Sequence, residues 1–243
     1  MEGEDDIADS PFMTMEREGS DCCCDECPKP LLCCFSCTEG CSEQSNLYAG
    51  PITGKPGEMK GAKRKNQLGE TVQPIGGGGF KPVLQVMDRG TDKAQSETFA
   101  AVRGPCFFGG CSELCCNTSF GMSVAKDGTS VSEIHALNFG DFATIKKLKP
   151  KSFQQGLREI FTDADIYEVS FKSDTVTPQQ KANVLATMIH LDYMFFERDN
   201  DMVYCRDNAL HINLCNCFIY GCVCPCEISL ETLLRCLEIV ASS

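Results

Sequence analysis

LREIFTDADIYEVSFKSDTVTPQQKANVLATMIHLDYMFFE, residues Leu157–Glu197, carries three signals back to back. A short acidic run, Asp163-Ala164-Asp165, comes first. Tyr167, Val169 and Phe171 then alternate with polar residues, the period of a half-buried strand. A helix follows over 178–197. Thr177 suits the N-cap, Pro178 the first helical position, and Gln180 closes a capping box back to Thr177. From Ala182 to Phe196 the helix is mostly apolar for about 15 residues, roughly 22 Å of rise. Apolar side chains fall on most of its sides, which predicts enclosure by protein or by lipid. Asn183, Thr187 and His190 share one stripe, and Asp192 lies elsewhere. A carboxylate in a lipid span costs about 2.5–3.5 kcal/mol, and a span needs roughly 20 apolar residues. Both considerations favour a helix buried in protein.

Working outward toward the N-terminus, short strands recur with turn signals between them. They are read at Pro82–Met87, Glu97–Val102, Phe120–Val124, Ser130–Leu137, Phe142–Leu148 and Ile166–Phe171, with turns at Asp88-Arg89-Gly90, Lys126-Asp127-Gly128 and Asn138-Phe139-Gly140. This punctuation predicts an all-β barrel or sandwich. A closed barrel removes open edges, and the apolar helix would fill its interior. Gly76-Gly77-Gly78-Gly79 has no Lys-Ser/Thr behind it, so it reads as a flexible turn and not as a phosphate loop.

The chain has 243 residues, a net charge of −12 and 19 cysteines. The length allows one substantial domain with tails, and the acidity argues against nucleic acid as the main partner. The start, MEGEDDIADS, lacks an apolar segment for secretion, so a reducing cytosol is expected to face most of the thiols. The cysteines fall in three clusters. The first runs from Cys22 to Cys41. Within it, Cys24-x-x-Cys27 and Cys34-x-x-Cys37 have zinc spacing, whereas the adjacent doublets suit S-acylation of exposed thiols near a membrane. One acyl chain binds reversibly, so a second signal helps. Lys55, Lys60, Lys63, Arg64 and Lys65 supply one by attracting anionic lipid, or else form a solvated basic loop. The second cluster is Cys106, Cys111, Cys115 and Cys116, read either as core and loop cysteines or as a zinc site. The third runs from Cys205 to Cys236, where Cys217–Cys226 reads as a second acylation or metal patch. After it, Ser229 N-caps a helix over 230–240. Residues 1–30 are acidic and poor in branched apolars, and read as a disordered leader.

The stretches Leu157-Arg158-Glu159, Phe161-Thr162-Asp163-Ala164-Asp165 and Asp192-Tyr193-Met194-Phe195-Phe196-Glu197 resemble the phospholipid scramblase family. Arg103-Gly104-Pro105-Cys106 and Cys33-Cys34-Phe35-Ser36-Cys37 match as well, in the family's order. The resemblance implies a tubby-like fold, a closed antiparallel β-barrel around a central hydrophobic helix. That domain would cover 31–197, with a Cys-rich extension over 198–243 that the family usually lacks. It also implies palmitoylation of Cys33, Cys34 and Cys37, and calcium ligation by Asp163, Asp165 and Asp174. These acids take positions 1, 3 and 12 of a twelve-residue window. Glu168 stands at position 6 where an EF-hand needs Gly, and Tyr167 and Phe171 occupy positions 5 and 9. A weak site is therefore expected, led by Asp163 and Asp165 with Glu159 or Glu168 helping; the competing reading is a turn capped by Asp163. Lys146, Lys147, Lys149 and Lys151 lie near a segment the family uses for nuclear import, match it poorly, and read as a solvated basic strand end. Residues 1–30 are not expected to serve as the proline-rich leader common in the family.

No Gly-x-Ser-x-Gly or His-Glu-x-x-His motif occurs. His190 reads as a satisfied core histidine and His135 as a strand residue, so an enzyme is not expected. The resemblance implies calcium-dependent, ATP-independent movement of phospholipids between leaflets, by a lipid-anchored protein on the cytoplasmic face of a membrane, the plasma membrane before any other. Two alternatives stand beside it. One is an acyl-anchored regulator that binds lipid or protein partners without transport. The other is a zinc-binding interaction protein.

Overall fold

The computed structural model describes residues 11–18, 42–52, 66–89, 96–152, 165–196, 202–206 and 209–230. Strands β1 (Met13–Glu18), β2 (Gln44–Ala49), β3 (Gln67–Val72), β4 (Val83–Asp88) and β5 (Glu97–Arg103) follow in antiparallel succession. β6 (Phe107–Phe108) leaves this sheet, which continues through β7 (Thr118–Val124), β8 (Ala143–Lys147) and β9 (Tyr167–Phe171). The result is an eight-stranded sheet ordered β1-β2-β3-β4-β5-β7-β8-β9, strongly curled into a half-barrel. β10 (Val203–Arg206), β11 (Ala209–Ile219) and β12 (Cys222–Ser229) form a second sheet, and β6 joins it by pairing with β11.

The sheet's apolar residues serve two faces. On the concave side Leu84, Val86, Ala100, Val102, Phe120, Met122, Ala143 and Ile145 are buried against a long helix, Pro178–Phe195. On the convex side Val83 and Ala101 are covered by a short helix, Val131–Ala136, through Ile134. In chain order these helices follow α1 (Ser112–Cys115), and we number them α2 (Val131–Ala136) and α3 (Pro178–Phe195). Two-sided cover explains why β4 and β5 read as nearly continuous apolar runs.

Ser130–Leu137, expected to be a strand, is instead α2. Ser130 accepts from the Glu133 amide, and the Glu133 carboxylate accepts from the Ser130 amide at 2.7 Å. That reciprocal cap satisfies two donors of the first turn and outweighs the weak alternation of the segment. His135 is accordingly helical, with Nε2 2.8 Å from the Gly78 carbonyl oxygen. Met13–Glu18, within the stretch expected to be a disordered leader, is β1. It pairs with β2 along its whole length, and Arg17 makes a two-pronged contact with Glu43 at 2.7 and 2.9 Å.

The barrel is not closed. The described pairing path runs from β1 to β9 without joining them. Eight strands in a closed barrel enclose just enough space for side chains, whereas a helix with its side chains is about 10–12 Å across. Eight strands wrapped round α3 therefore stay open. The described residues also do not sheathe the helix on every side. Leu185, Ile189 and Tyr193 form an outward stripe, 43%, 45% and 46% exposed.

Candidate functional site

The N-terminus of α3 is fixed by the capping box expected from the sequence. The Gln180 amide donates to Thr177 Oγ1 at 3.2 Å, and the Thr177 amide donates to Gln180 Oε1 at 3.1 Å. Within the same first turn, the Gln179 side-chain amide sits among the carbonyls of Leu68 and Arg89, at 2.8 and 2.7 Å, and the Asp88 carboxylate. Gly69 of β3 lets the helix come this close, because a Cβ there would overlap the Asn183 amide and the Met87 carbonyl.

The stripe of Asn183, Thr187 and His190 faces inward, against β2 and β3. Thr187 Oγ1 lies 2.9 Å from Thr71 Oγ1 and donates to the Asn183 carbonyl at 2.7 Å. Ser45 Oγ lies 2.6 Å from His190 Nδ1. Burial, and next the Arg17 charge, lower the His190 pKa to about 3, so the imidazole is neutral at physiological pH. A serine beside an imidazole has the makings of a nucleophile and a base, but Ser45 is 2% and His190 0% exposed. No substrate reaches that pair, and its role is to satisfy polar groups inside the fold.

At its C-terminal end α3 enters an aromatic cluster. Phe195 lies 5.0 Å from Phe108, 5.7 Å from Phe120 and 5.9 Å from Phe218, ring centre to ring centre. Three separate elements, β6, β7 and β11, thus meet on one helical residue. The spacings are those of favourable edge-to-face and stacked pairs.

Beside this cluster lies an ionic group that the sequence reading missed. Lys147 Nζ is 2.7 Å from Glu113 Oε2 and 2.7 Å from Asp165 Oδ2, and it sits 4.0 Å above the Phe196 ring centre. The Tyr167 hydroxyl donates to Asp192 at 2.5 Å. Burial raises the Glu113 carboxyl against the opposing pull of Lys147, and burial together with the bond to Asp192 holds the Tyr167 phenol far above its usual range. Lys147 is therefore no solvated strand-end lysine. The alternation of β8 places Ala143, Ile145 and Lys147 on the buried face and Thr144 and Lys146 outside. That period of two was the signal that could have found it.

The expected calcium ligands are distributed as follows. Asp163 and Glu159 lie outside the described residues. Asp165 faces Lys147, and Asp174 is exposed in the turn after β9. β9 stands between them and alone accounts for roughly 13 Å of rise. Ligands of one calcium ion lie within 2.3–2.6 Å of it, so the structure does not bring Asp165 and Asp174 together. Glu168 is exposed, with an oxygen 3.9 Å from Lys146 Nζ. Cys33, Cys34, Cys37, Lys55, Lys60, Lys63, Arg64 and Lys65 lie outside the described residues.

Cys115 and Cys116 are exposed at the end of α1, while Cys106 and Cys111 are half-buried. Burial raises the Cys111 thiol, with Cys115 adding to the effect. Among the described residues no three His, Cys, Asp or Glu side chains are placed to hold one metal ion. Among them, too, no helix is long and apolar enough to cross a membrane. Of the third cysteine cluster, Cys205, Cys215, Cys217, Cys222, Cys224 and Cys226 lie on β10, β11 and β12, a sheet that the sequence did not lead us to expect, and Cys236 lies outside the described residues. The helix expected over 230–240 lies outside the described residues beyond Leu230.

No curated protein and no solved structure matches the chain. Residues 86–198, from β4 to just past the end of α3, match the family model described as Scramblase. Residues 86–198, the half-barrel's second half and its helix, thus form a domain of the Scramblase family.

Proposed function

We propose that the protein moves phospholipids between the leaflets of a membrane, dependent on calcium and independent of ATP, without covalent chemistry. The observation that carries this reading is the Scramblase match over residues 86–198, which contains the α3 helix and the ionic group at its end. Attachment is peripheral in this proposal. The outward stripe Leu185, Ile189 and Tyr193 runs over nine residues, about 12 Å of helix, which suits lying on a bilayer surface and not spanning it. Acyl chains on Cys33, Cys34 and Cys37 and the basic patch Lys60, Lys63, Arg64 and Lys65 supply the remaining hold, at about 1 kcal/mol per charge near anionic lipid. The location is the cytoplasmic face of the plasma membrane. Calcium binds weakly at Asp163 and Asp165, without Asp174, which lies beyond the far end of β9. Because Asp165 already faces Lys147, an arriving ion competes with an ammonium group.

A second reading has its own observation. The concave face is filled by α3 and the Phe108–Phe120–Phe195–Phe218 cluster. A filled interior favours a lipid- or protein-binding regulator of the same fold.

Liposomes carrying a headgroup-labelled lipid and the full chain separate the two. With calcium present, dithionite quenching is expected to continue past the outer leaflet, and Asp163→Ala is expected to slow it. Quenching that stops at the outer leaflet while the protein still floats with the vesicles removes transport and leaves the regulator. Leu185→Ser with Ile189→Ser is expected to lower flotation roughly tenfold, since each side chain buries part of the 1.5–3 kcal/mol that full burial yields. Zinc found in protein purified without added metal would favour the interaction-protein alternative.

A further inference from the structure

β11 and β12 are joined by Tyr220 and Gly221, whose φ values are 47° and 93°. Two consecutive residues with positive φ make the two-residue turn that matches the right-handed twist of a hairpin. The register follows from it: Ile219 faces Cys222, Cys217 faces Cys224 and Cys215 faces Cys226. Asn216 and Phe218 are each 1% exposed and point into the core. Side chains alternate across a strand, so Cys215, Cys217, Cys222, Cys224 and Cys226 share the opposite face. All five are half-buried. On that face Cys217 Sγ lies 2.9 Å from Cys226 Sγ, diagonally across the two strands.

We infer that Cys217 and Cys226 form a reversible disulfide site whose oxidant is a small-molecule disulfide. The inference holds whether or not the protein moves lipid. The two sulfurs are already in contact and the turn fixes the strands, so closing the bond needs side-chain rotation and no change of register.

The exchange balances in two steps. The Cys226 thiolate attacks one sulfur of the small disulfide, forms a mixed disulfide and releases one small thiolate. The Cys217 sulfur then attacks Cys226 Sγ, forms the Cys217–Cys226 bond and expels the second small thiolate. The two protons of the protein thiols end on the two small thiols; the protein pair is oxidised by two electrons and the small disulfide is reduced by two. Burial first, and then its contact with Cys226, push the Cys217 thiol up to about 12, so Cys217 keeps its proton through the first step and gives it to the departing small thiolate as it attacks in the second. A thiol of high pKa is also a poor leaving group, so reduction of the bond runs by attack on Cys217 Sγ, with Cys226 leaving.

The site reaches beyond the hairpin. β11 pairs with β6 at Asn216 and Cys217, and Phe218 packs on Phe195. Fastening β11 to β12 therefore braces the sheet that supports the end of α3. Cys215 also hydrogen-bonds Cys226, which gives the bond a neighbour that can displace it.

The test uses the full chain, reduced and then equilibrated with oxidised glutathione. Remaining thiols are alkylated and the protein is cut with chymotrypsin, which separates Cys217 from Cys226 after Phe218 and Tyr220. The expected product is a linked peptide pair two hydrogens lighter than the sum of its thiol forms. The link should vanish in Cys217→Ser and in Cys226→Ser and persist in Cys115→Ser. The short loop closed by the bond should raise the melting temperature by roughly 5–10 °C, and dithiothreitol should reverse the rise. Full alkylation of both cysteines after oxidation would overturn the site. So would a link spread evenly over the five thiols, or a melting temperature unmoved in the linked protein.

Discussion

Lys147→Met isolates the ionic group at the end of α3. Methionine keeps most of the stem and its place over the Phe196 ring, where a thioether is also welcome, so the chief loss is the ammonium charge. Glu113 and Asp165 then face each other without the cation that stood 2.7 Å from both. Removing one partner of a buried ion pair costs about 3–5 kcal/mol. The side chains of Glu113 and Asp165 keep 15% and 21% of their exposure, so water recovers part of that, and the expected loss is about 2–4 kcal/mol. The loss should depend on pH with a definite sign. Burial already lifts the Glu113 carboxyl above its ordinary 4.5, and Lys147 is the main group opposing the lift. In the variant the carboxyl rises further. A folded state that holds its proton more tightly than the unfolded chain gains stability as pH falls toward 4.5. Urea unfolding at pH 7 and at pH 5, on the protein and the variant side by side, reads this difference. The deficit should shrink at pH 5, and adding Glu113→Gln should recover much of it at pH 7. A deficit below about 1 kcal/mol at pH 7, or one that neither acid nor Glu113→Gln reduces, would falsify the account of this cluster.

Two further outcomes follow from the helix seam. His190 has its pKa lowered from 6.5 to about 3, so the unfolded chain takes up a proton below pH 6.5 that the folded protein refuses. Stability is full above 6.5 and falls with pH through the interval down to about 3, by at most about 1.4 kcal/mol per pH unit. Urea midpoints between pH 7 and 4 should show that slope, and His190→Asn should flatten it; an unchanged slope assigns the acid sensitivity elsewhere. Gly69→Ala drives a methyl group into Asn183 and the Met87 carbonyl, at an expected cost of about 1–3 kcal/mol. Adding Asn183→Ala should relieve part of that cost in the same unfolding measurement, and a strictly additive pair would show that helix and strand are not in contact there.

What could be read in the sequence was local. The start of α3 was legible because Thr177, Pro178 and Gln180 carry the cap within four positions, and the cap is present as expected. β4, β5, β7, β8 and β9 were legible from apolar runs and turns. The inward stripe of Asn183, Thr187 and His190 was visible as a stripe, but its direction was not. Hydropathy would point it outward, and only Ser45 and Thr71 across the interface explain why it is buried. β1 has no apolar run and gains its shape from pairing with β2 and from the Arg17–Glu43 contact. The open barrel was illegible for a similar reason. It depends on how many strands must go round a helix, which no single segment records. The acyl, basic and calcium expectations fall mostly outside the described residues, and only Asp165, Glu168 and Asp174 received a position.

The aromatic cluster has a consequence for how this chain is made. Phe108 and Phe120 are synthesised long before Phe218, the ring that covers Phe195 from β11. Ribosomes add about 5–20 residues per second, so roughly 5–20 s separate the appearance of Phe108 from that of Phe218, the last ring of the cluster. Throughout that interval a nascent half-barrel presents bare rings at one end. Such a chain offers a binding spot to chaperones during translation, and a premature stop ahead of Phe218 would leave a product marked for degradation although its α3 helix is whole.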